Sequence, residues 1–419
     1  MDQKEIFETY ESQVRSYCRN FPTVFKSAKG SVVTDCDGND FIDFFDGAGA
    51  LNYGHNNPYI KSKVIEYLEG DGIMHWLDMM TAPKAELIQF MEEKILKPRG
   101  LDYKIMFPGP TGTNTNEAAF KVARKYTGRP DIWAFMGSFH GMTLGALAAT
   151  TDRNDRKGAG VPLPYAHFMP TPYQFPGLDV INYMQTLLDD DHSGYEKPAA
   201  IIIETTQAEG GIYTFSNEFL QQLREFCTKN DIVLITDDVQ VGCCRTGSFF
   251  SFERAGIKPD IVTMSKSIGG IGLPLALTLV NPKMDCLNPG EHNGTFRGNQ
   301  LAFVASKASL EFMLNEHVED GVREREAVIK KFLEEKVARK GVEIRGIGCI
   351  WAVDLGCSRL SKAVLDECFR NGLILERAGR DDSCVKIMPS LVIPMDLLEK
   401  GLEIVKKAVD KVMDEEEAK

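Results

Sequence analysis

No apolar run in this chain approaches the roughly 18 residues needed to cross a bilayer, and the opening MDQKEIFETY has no apolar segment of the kind a secretory signal carries. A membrane span is therefore not expected, and we expect a cytoplasmic protein. Positive charge is also in short supply: 48 Lys and Arg stand against 60 Asp and Glu, for a net charge of −12. Nucleic acid or an anionic membrane as main partner would need clustered Lys and Arg, so neither is expected. The ten cysteines contain no C-x-x-C pair and no Cys/His cluster at zinc spacing. Reduced thiols and no metal site are expected, with adjacent Cys243 and Cys244 serving as small buried apolar residues. There is no P-loop, no G-x-G-x-x-G and no internal repeat. At 419 residues the chain is long enough for two or three domain-sized units.

What is present centres on Ile232 to Gly270, IVLITDDVQVGCCRTGSFFSFERAGIKPDIVTMSKSIGG. The runs Ile232 to Thr236 and Ile261 to Ser265 are short, rich in β-branched residues and followed by polar ones, which predicts strands buried on both faces. The first delivers Asp237 at its C-terminal end and the second delivers Lys266. In an open parallel sheet the C-terminal strand ends face the ligand crevice, so an acid and an amine there can converge on one ligand. A lysine that forms a Schiff base with an aldehyde, and an acid that keeps a pyridine nitrogen protonated, suit pyridoxal phosphate. A structural ion pair at a strand edge is the competing reading of these two residues alone.

Other segments supply a rhythm of strands and helices around this pair. Asp37-Gly38 followed by the apolar run Phe41 to Phe45 predicts a hairpin, and helices are predicted from Pro58 to about Gly70 and over about 84–97. After the short strand Ile105 to Phe107, P-G-P-T-G-T-N-T-N-E-A-A-F leads into a helix that starts near Thr113 or Asn114. Free amides at such a start make an anion site, and Gly112 lets the backbone come close to a phosphate. F-H-G after the next strand, I-W-A-F, offers Phe139 for stacking on a planar group. Residues 151–195 read as a long excursion over the surface. Ala199 to Ile203 is a further buried strand ending at Glu204, and a helix over 217–229 leads to the Asp237 strand. Beyond Leu275 to Val280, helices cover Leu301 to Leu314 and the charged run R-E-R-E-A-V-I-K-K-F-L-E-E-K. An α+β unit follows: strand I-W-A-V-D-L, helix 361–371, strands L-I-L-E and V-K-I-M, and a closing helix from about 395. The tail D-E-E-E-A-K reads as disordered. Alternating strands and helices predict a mainly parallel α/β sheet flanked by helices.

The string D-D-V-Q-V-G-C-C-R-T-G, then P-D, then S-K-S-I-G-G, resembles the signature of class III (ω-amino) aminotransferases, with Asp238 where a glutamate is common. E-S-Q-V-R-S-Y-C-R-N-F-P, G-A-L-N-Y-G-H-N-N-P, F-P-G-P-T-G-T-N and F-H-G-M-T-L-G-A-L-A-A-T are similar to the diaminobutyrate aminotransferases of ectoine biosynthesis within that family. The resemblance implies the fold type I architecture of pyridoxal phosphate enzymes. A large domain over 54–314 would carry the cofactor, and a smaller α+β domain would combine 1–53 with 315–419. It implies Lys266 as the cofactor lysine and proton carrier, Asp237 on the pyridinium, Gln240 on the ring hydroxyl and Phe139 on the ring face. Gly112 and Thr113 would bind the phosphate, joined by Thr295 from the partner subunit of a homodimer or larger homo-oligomer. Glu209 and Lys386 would handle the substrate, Lys386 standing where an arginine usually receives a carboxylate, and Met142 standing where several members have another arginine. The implied reaction moves the 4-amino group between L-2,4-diaminobutyrate and 2-oxoglutarate, giving L-aspartate 4-semialdehyde and L-glutamate. An ω-aminotransferase or aminomutase with another amino donor, and a non-catalytic binding protein on the same fold, are the alternatives.

Overall fold

The computed structural model describes residues 2–418. A central sheet has the spatial order Lys104–Met106, Leu277–Val280, Ile261–Met264, Val233–Asp237, Ala200–Ile203, Ile132–Phe135 and Ala166–Met169. All of these strands are parallel except Leu277–Val280, which runs against both neighbours. The five inner strands are buried along their whole length, as their unbroken apolar runs require.

Alternation along each strand divides its side chains between two apolar layers. Trp133, Phe135, Ile201, Ile203, Leu234 and Val262 share one layer with Phe219 and Leu223 of helix Asn217–Lys229 and Phe303 of helix Gln300–Asn315. Ile132, Ala134, Ile202, Val233, Ile235 and Ile261 share the other with Ala119, Phe120 and Ala123 of helix Gly112–Thr127. Helices therefore cover both faces, and the sheet's C-terminal edge is where a ligand can approach.

A second apolar core joins the two ends of the chain. Phe21, Phe41, Ile42 and Phe44 pack with Phe332, Trp351, Val364, Ile387 and Leu402. One four-stranded sheet is Phe25–Lys29, Val32–Asp35, Asp40–Asp43 and Leu373–Ile374, with Leu373 beside Ile42. The other is Glu343–Ile347, Ile350–Asp354, Cys384–Ile387 and Glu376–Ala378. Between the two cores the fully buried Arg245 donates to the Cys349 and Pro389 carbonyls, Asp46 and Asn52. Cys243 and Cys244 beside it are buried, and burial pushes both thiols up.

Several local expectations are corrected. Residues 151–195 are no mere excursion: Ala166–Met169 is the edge strand of the central sheet, paired with Ile132–Phe135, and Val180–Asp189 is a helix whose Asp179 side chain caps the Asn182 amide. The acidic tail is helical to Glu417, because Arg339 pairs with Asp414 and Glu417 and Arg359 with Glu416. The helix expected to start near Thr113 or Asn114 begins at Gly112, with Thr111 accepting from the Asn114 amide as its cap.

Candidate active site

Each parallel strand hands its following residues to one crevice. Asp237 closes Val233–Asp237, and Lys266 follows Ile261–Met264 after Ser265 alone. Thr263 is the register partner of Asp237, so Lys266 lies three residues beyond the acid's own level. Glu204 follows Ala200–Ile203, and Phe139 and His140 follow Ile132–Phe135.

Asp237 is buried in a set of donors. Its Oδ2 accepts from Asn116 Nδ2 at 2.8 Å and lies 2.7 Å from His140 Nδ1, while its Oδ1 accepts from the Val239 amide at 3.0 Å. Asn116 also donates to the His140 carbonyl, which locks helix Gly112–Thr127 to the F-H-G loop. Glu204 holds that loop from the far side, accepting from the Phe139 amide at 2.9 Å and the Ala208 amide at 3.2 Å. Burial pushes the Glu204 carboxyl up to about 7, against the pull of nearby His140.

Lys266 has φ +54, an uncommon value for a side-chain-bearing residue, and its amine makes no hydrogen bond or ion pair among the described residues. Burial lowers its pKa, with nearby Lys386 pushing the same way and Glu209 opposing. A lysine held this way is poised as a neutral amine at lower pH than a free one.

The glycine positions show where the chain must pass closely. A Cβ on Gly112 would come 2.8 Å from Val239, and one on Gly141, whose φ is +131, would clash with Thr113 Oγ1. Thr113 Oγ1 in turn lies 2.6 Å from Thr143 Oγ1. The Gly112 and Thr113 amides precede the first intrahelical hydrogen bond, so this corner presents donors at the positive end of a helix. Gln240 donates from Nε2 to the Ala48 carbonyl, while its Oε1, like His140 Nε2 and Asn116 Oδ1, is buried with no partner in the protein. An unpaired amine, a buried acid, partnerless buried polar atoms and a glycine-lined helix start together fit the aldehyde, ring and phosphate of pyridoxal phosphate.

Lys386 lies fully buried on strand Cys384–Ile387, with Nζ 2.7 Å from Glu209 Oε1 and 2.6 Å from Glu376 Oε2. Burial by itself would lower this ammonium; the two carboxylates outweigh it and raise it. Burial would raise Glu209, but Lys386 and then Lys266 pull it below the usual carboxylate range. Burial and the negative charge of Glu209 raise Glu376, with Lys386 opposing. Lys386 is thus no surface lysine. Thr295 lies apart, exposed in the turn Thr295–Arg297, its carbonyl 2.6 Å from His75 Nε2.

Three residues of this arrangement were not singled out from the sequence: His140, Asn116 and Glu376. His140 lies inside the F-H-G string and Glu376 ends L-I-L-E, so both signals were on view without a register to join them. A groove of about 600 Å³ lined by Tyr59, Lys63, Tyr67 and Lys307 contains none of the site residues.

Residues 14–409 match the family described as aminotransferase class-III. A diaminobutyrate–2-oxoglutarate transaminase of Nocardia farcinica is 49% identical over 97% of this chain and 94% of that protein. The enzyme of the same name from Halalkalibacterium halodurans is 49% identical over 98% of this chain and 97% of its own length. Among solved structures, an S-selective transaminase from an Arthrobacter species superposes with TM-score 0.88 at 24% identity, covering 98% of this chain and 97% of that one. A Bacillus anthracis aminotransferase gives 0.87 at 24% identity, covering 98% of this chain and all of that one. The buried acid, the unpaired strand-edge lysine and the matched span agree, and the chain belongs to the class-III aminotransferases.

Proposed function

We propose that this protein moves the 4-amino group of L-2,4-diaminobutyrate to 2-oxoglutarate, or the reverse, with pyridoxal phosphate as cofactor. The observation that carries the chemistry is that Lys266, unpaired and lowered by burial, and Asp237 stand at the ends of neighbouring parallel strands. The near full-length relatives at 47–49% identity that bear the diaminobutyrate–2-oxoglutarate name support the substrate pair.

Bound pyridoxal phosphate would supply an aldehyde for the substrate amine and a ring that takes up electrons from the reacting carbon. Asp237, oriented by Asn116 and His140, would hold the proton on the ring nitrogen. Lys266 Nζ would bind the aldehyde carbon when no substrate is present and carry the proton to and from the substrate carbon during transfer. Phe139 would lie on one ring face, Gln240 would bond the ring hydroxyl, and Gly112 and Thr113 would donate to the phosphate. Glu209 and Lys386 would adapt one pocket to two substrates. Lys386 would receive the glutamate carboxylate, and Glu209 would neutralise it while the diamine reacts at its far amino group.

We further propose a two-fold homodimer in which Thr295 reaches the partner's phosphate site. Its exposure, together with that of Trp76, Met80 and Phe296, supports such a surface. We propose a division into 1–53, 54–314 and 315–419; the core that joins Phe21 to Phe44 with Ile329 to Met413 supports it, while Val318 and Val322 pack in the large core. A cytoplasmic place in ectoine formation rests on the sequence resemblance. The test is a donor panel with the purified enzyme and 2-oxoglutarate: diaminobutyrate should exceed ornithine and γ-aminobutyrate in kcat/KM by at least tenfold. A preference for either of the others would overturn the substrate assignment.

A further inference from the structure

Lys386 has two carboxylate partners of unlike build. Glu376 belongs to strand Glu376–Ala378 and is the direct register partner of Lys386 across the antiparallel pair, so the sheet itself sets their separation. It is buried, and its carboxylate lies 2.6 Å from the ammonium. Glu209 sits instead in the connection between the two-residue strands Thr206–Gln207 and Tyr213–Thr214, followed by Gly210 and Gly211. Its backbone carbonyl is tied to the Gly379 amide, and its side chain keeps 31% exposure. Glu376 is fixed by strand pairing, whereas the Glu209 carboxylate is held through its side-chain hydrogen bonds with Lys386 and Gln240.

We propose that Glu376 is the fixed counter-ion that keeps Lys386 in place, so that Glu209 alone exchanges with an incoming substrate carboxylate. This deepens the amino-transfer reading above and rests on it. The reasoning turns on the shape of the cation. An arginine holds its carboxylate through a rigid planar fork, whereas lysine is a point charge on a flexible four-carbon stem. A buried lysine with a single counter-ion follows that counter-ion when it swings away, because leaving the charge unpaired is costly. Glu376 Oε2 pairs with the ammonium by charge at 2.6 Å and has no hydrogen-bond partner, while the Lys386 hydrogen bond goes to Glu209. The three N–H donors are therefore open to Glu209 or to the carboxylate that replaces it. With Glu376 in place, the carboxylate that replaces Glu209 meets an ammonium that has not moved. Glu376 is accordingly a positioning residue: it acts on substrate through Lys386.

Glu376→Gln keeps the side chain's length and an oxygen toward Lys386 while removing the charge. With the holoenzyme, the two half-reactions are followed separately by rapid mixing, using the visible absorbance of the bound cofactor. The glutamate half-reaction should lose at least tenfold more in its concentration dependence than the diaminobutyrate half-reaction. Binding of glutarate, a dicarboxylate that cannot react, should weaken by at least tenfold in calorimetry. Adding Glu376→Gln to Lys386→Met should cost nothing further in the glutamate half-reaction, because the first change acts through the residue already removed. Equal losses in both half-reactions, unaltered glutarate binding, or a further loss in the double variant would overturn the assignment. Should the unmodified enzyme fail to react with diaminobutyrate, the substrate assignment falls, and the glutarate and glutamate measurements still decide the role of Glu376.

Discussion

Replacing Lys386 with methionine keeps most of the buried stem and removes the charge between Glu209 and Glu376. Both carboxylate oxygens lie within 2.7 Å of one nitrogen, so they are at most about 5 Å apart and repel by about 3 kcal/mol at an effective dielectric constant of ~20. The variant can avoid this by taking up one proton. That costs about 1.4 kcal/mol for each pH unit above a carboxylate pKa near 4.3, or about 1.6 kcal/mol at pH 5.5 and about 5 kcal/mol at pH 8. The cheaper route governs, so Lys386→Met should be less stable than the unmodified protein by about 1.6 kcal/mol at pH 5.5 and about 3 kcal/mol at pH 8. Partial exposure of Glu209 makes the larger figure an upper value. The sign follows from linkage: the folded variant binds a proton that the unfolded chain has released, so its stability falls as pH rises through this window. Urea unfolding of both holoenzymes at the two pH values, compared at matched m, measures the deficit. A deficit that is equal at both pH values, or smaller at pH 8, would refute the picture of one buried ammonium serving two acids.

Lys266→Ala should lose the visible absorbance of covalently held cofactor and at least several orders of magnitude in turnover; turnover near that of the unmodified enzyme would remove Lys266 from the chemistry. Asp237→Asn should still bind the cofactor yet slow both half-reactions by a hundredfold or more, since the variant no longer carries the charge that His140 and Asn116 orient. His55 lies 2.7 Å from Asp43, and although burial opposes it, the hydrogen bond and charge of Asp43 raise the imidazole. Its contribution, about 1 kcal/mol for such a pair, should be present below pH 6.5 and lost as pH rises through the raised value. His55→Gln should therefore flatten the stability–pH curve in that window, and an unaltered slope would show that the pair contributes nothing.

The buried strands were legible because they are fully covered: I-V-T-M, A-I-I-I and I-W-A-F announce themselves without alternation, and the turn at Asp37-Gly38 announces the hairpin. Ala166–Met169 was hidden because it is a four-residue edge strand set among Pro162, Pro164, Pro170 and Pro172. Only its pairing with Ile132–Phe135 makes it a strand. The acidic tail was misjudged for a similar reason, since Arg339 and Arg359, distant in sequence, stabilise it. In the site, Asp237, Lys266, Glu209 and Lys386 could be named from their motifs. Glu376 could not, because its meeting with Lys386 is a matter of strand register, which a one-residue slip would abolish. His140 shows the remaining limit: the F-H-G string drew notice to its phenylalanine, while the loop geometry gives the histidine the contact with Asp237.

Diaminobutyrate carrying nitrogen-15 only at its 4-amino group, incubated with the holoenzyme and 2-oxoglutarate, tests the central claim most directly. The label should appear in the amino group of glutamate, with aspartate 4-semialdehyde as the other product, as read by nitrogen-15 NMR and mass spectrometry. Unlabelled glutamate, formed with the label retained in the remaining 2-oxo acid, would mean that the 2-amino group is the one transferred and would contradict the proposed reaction.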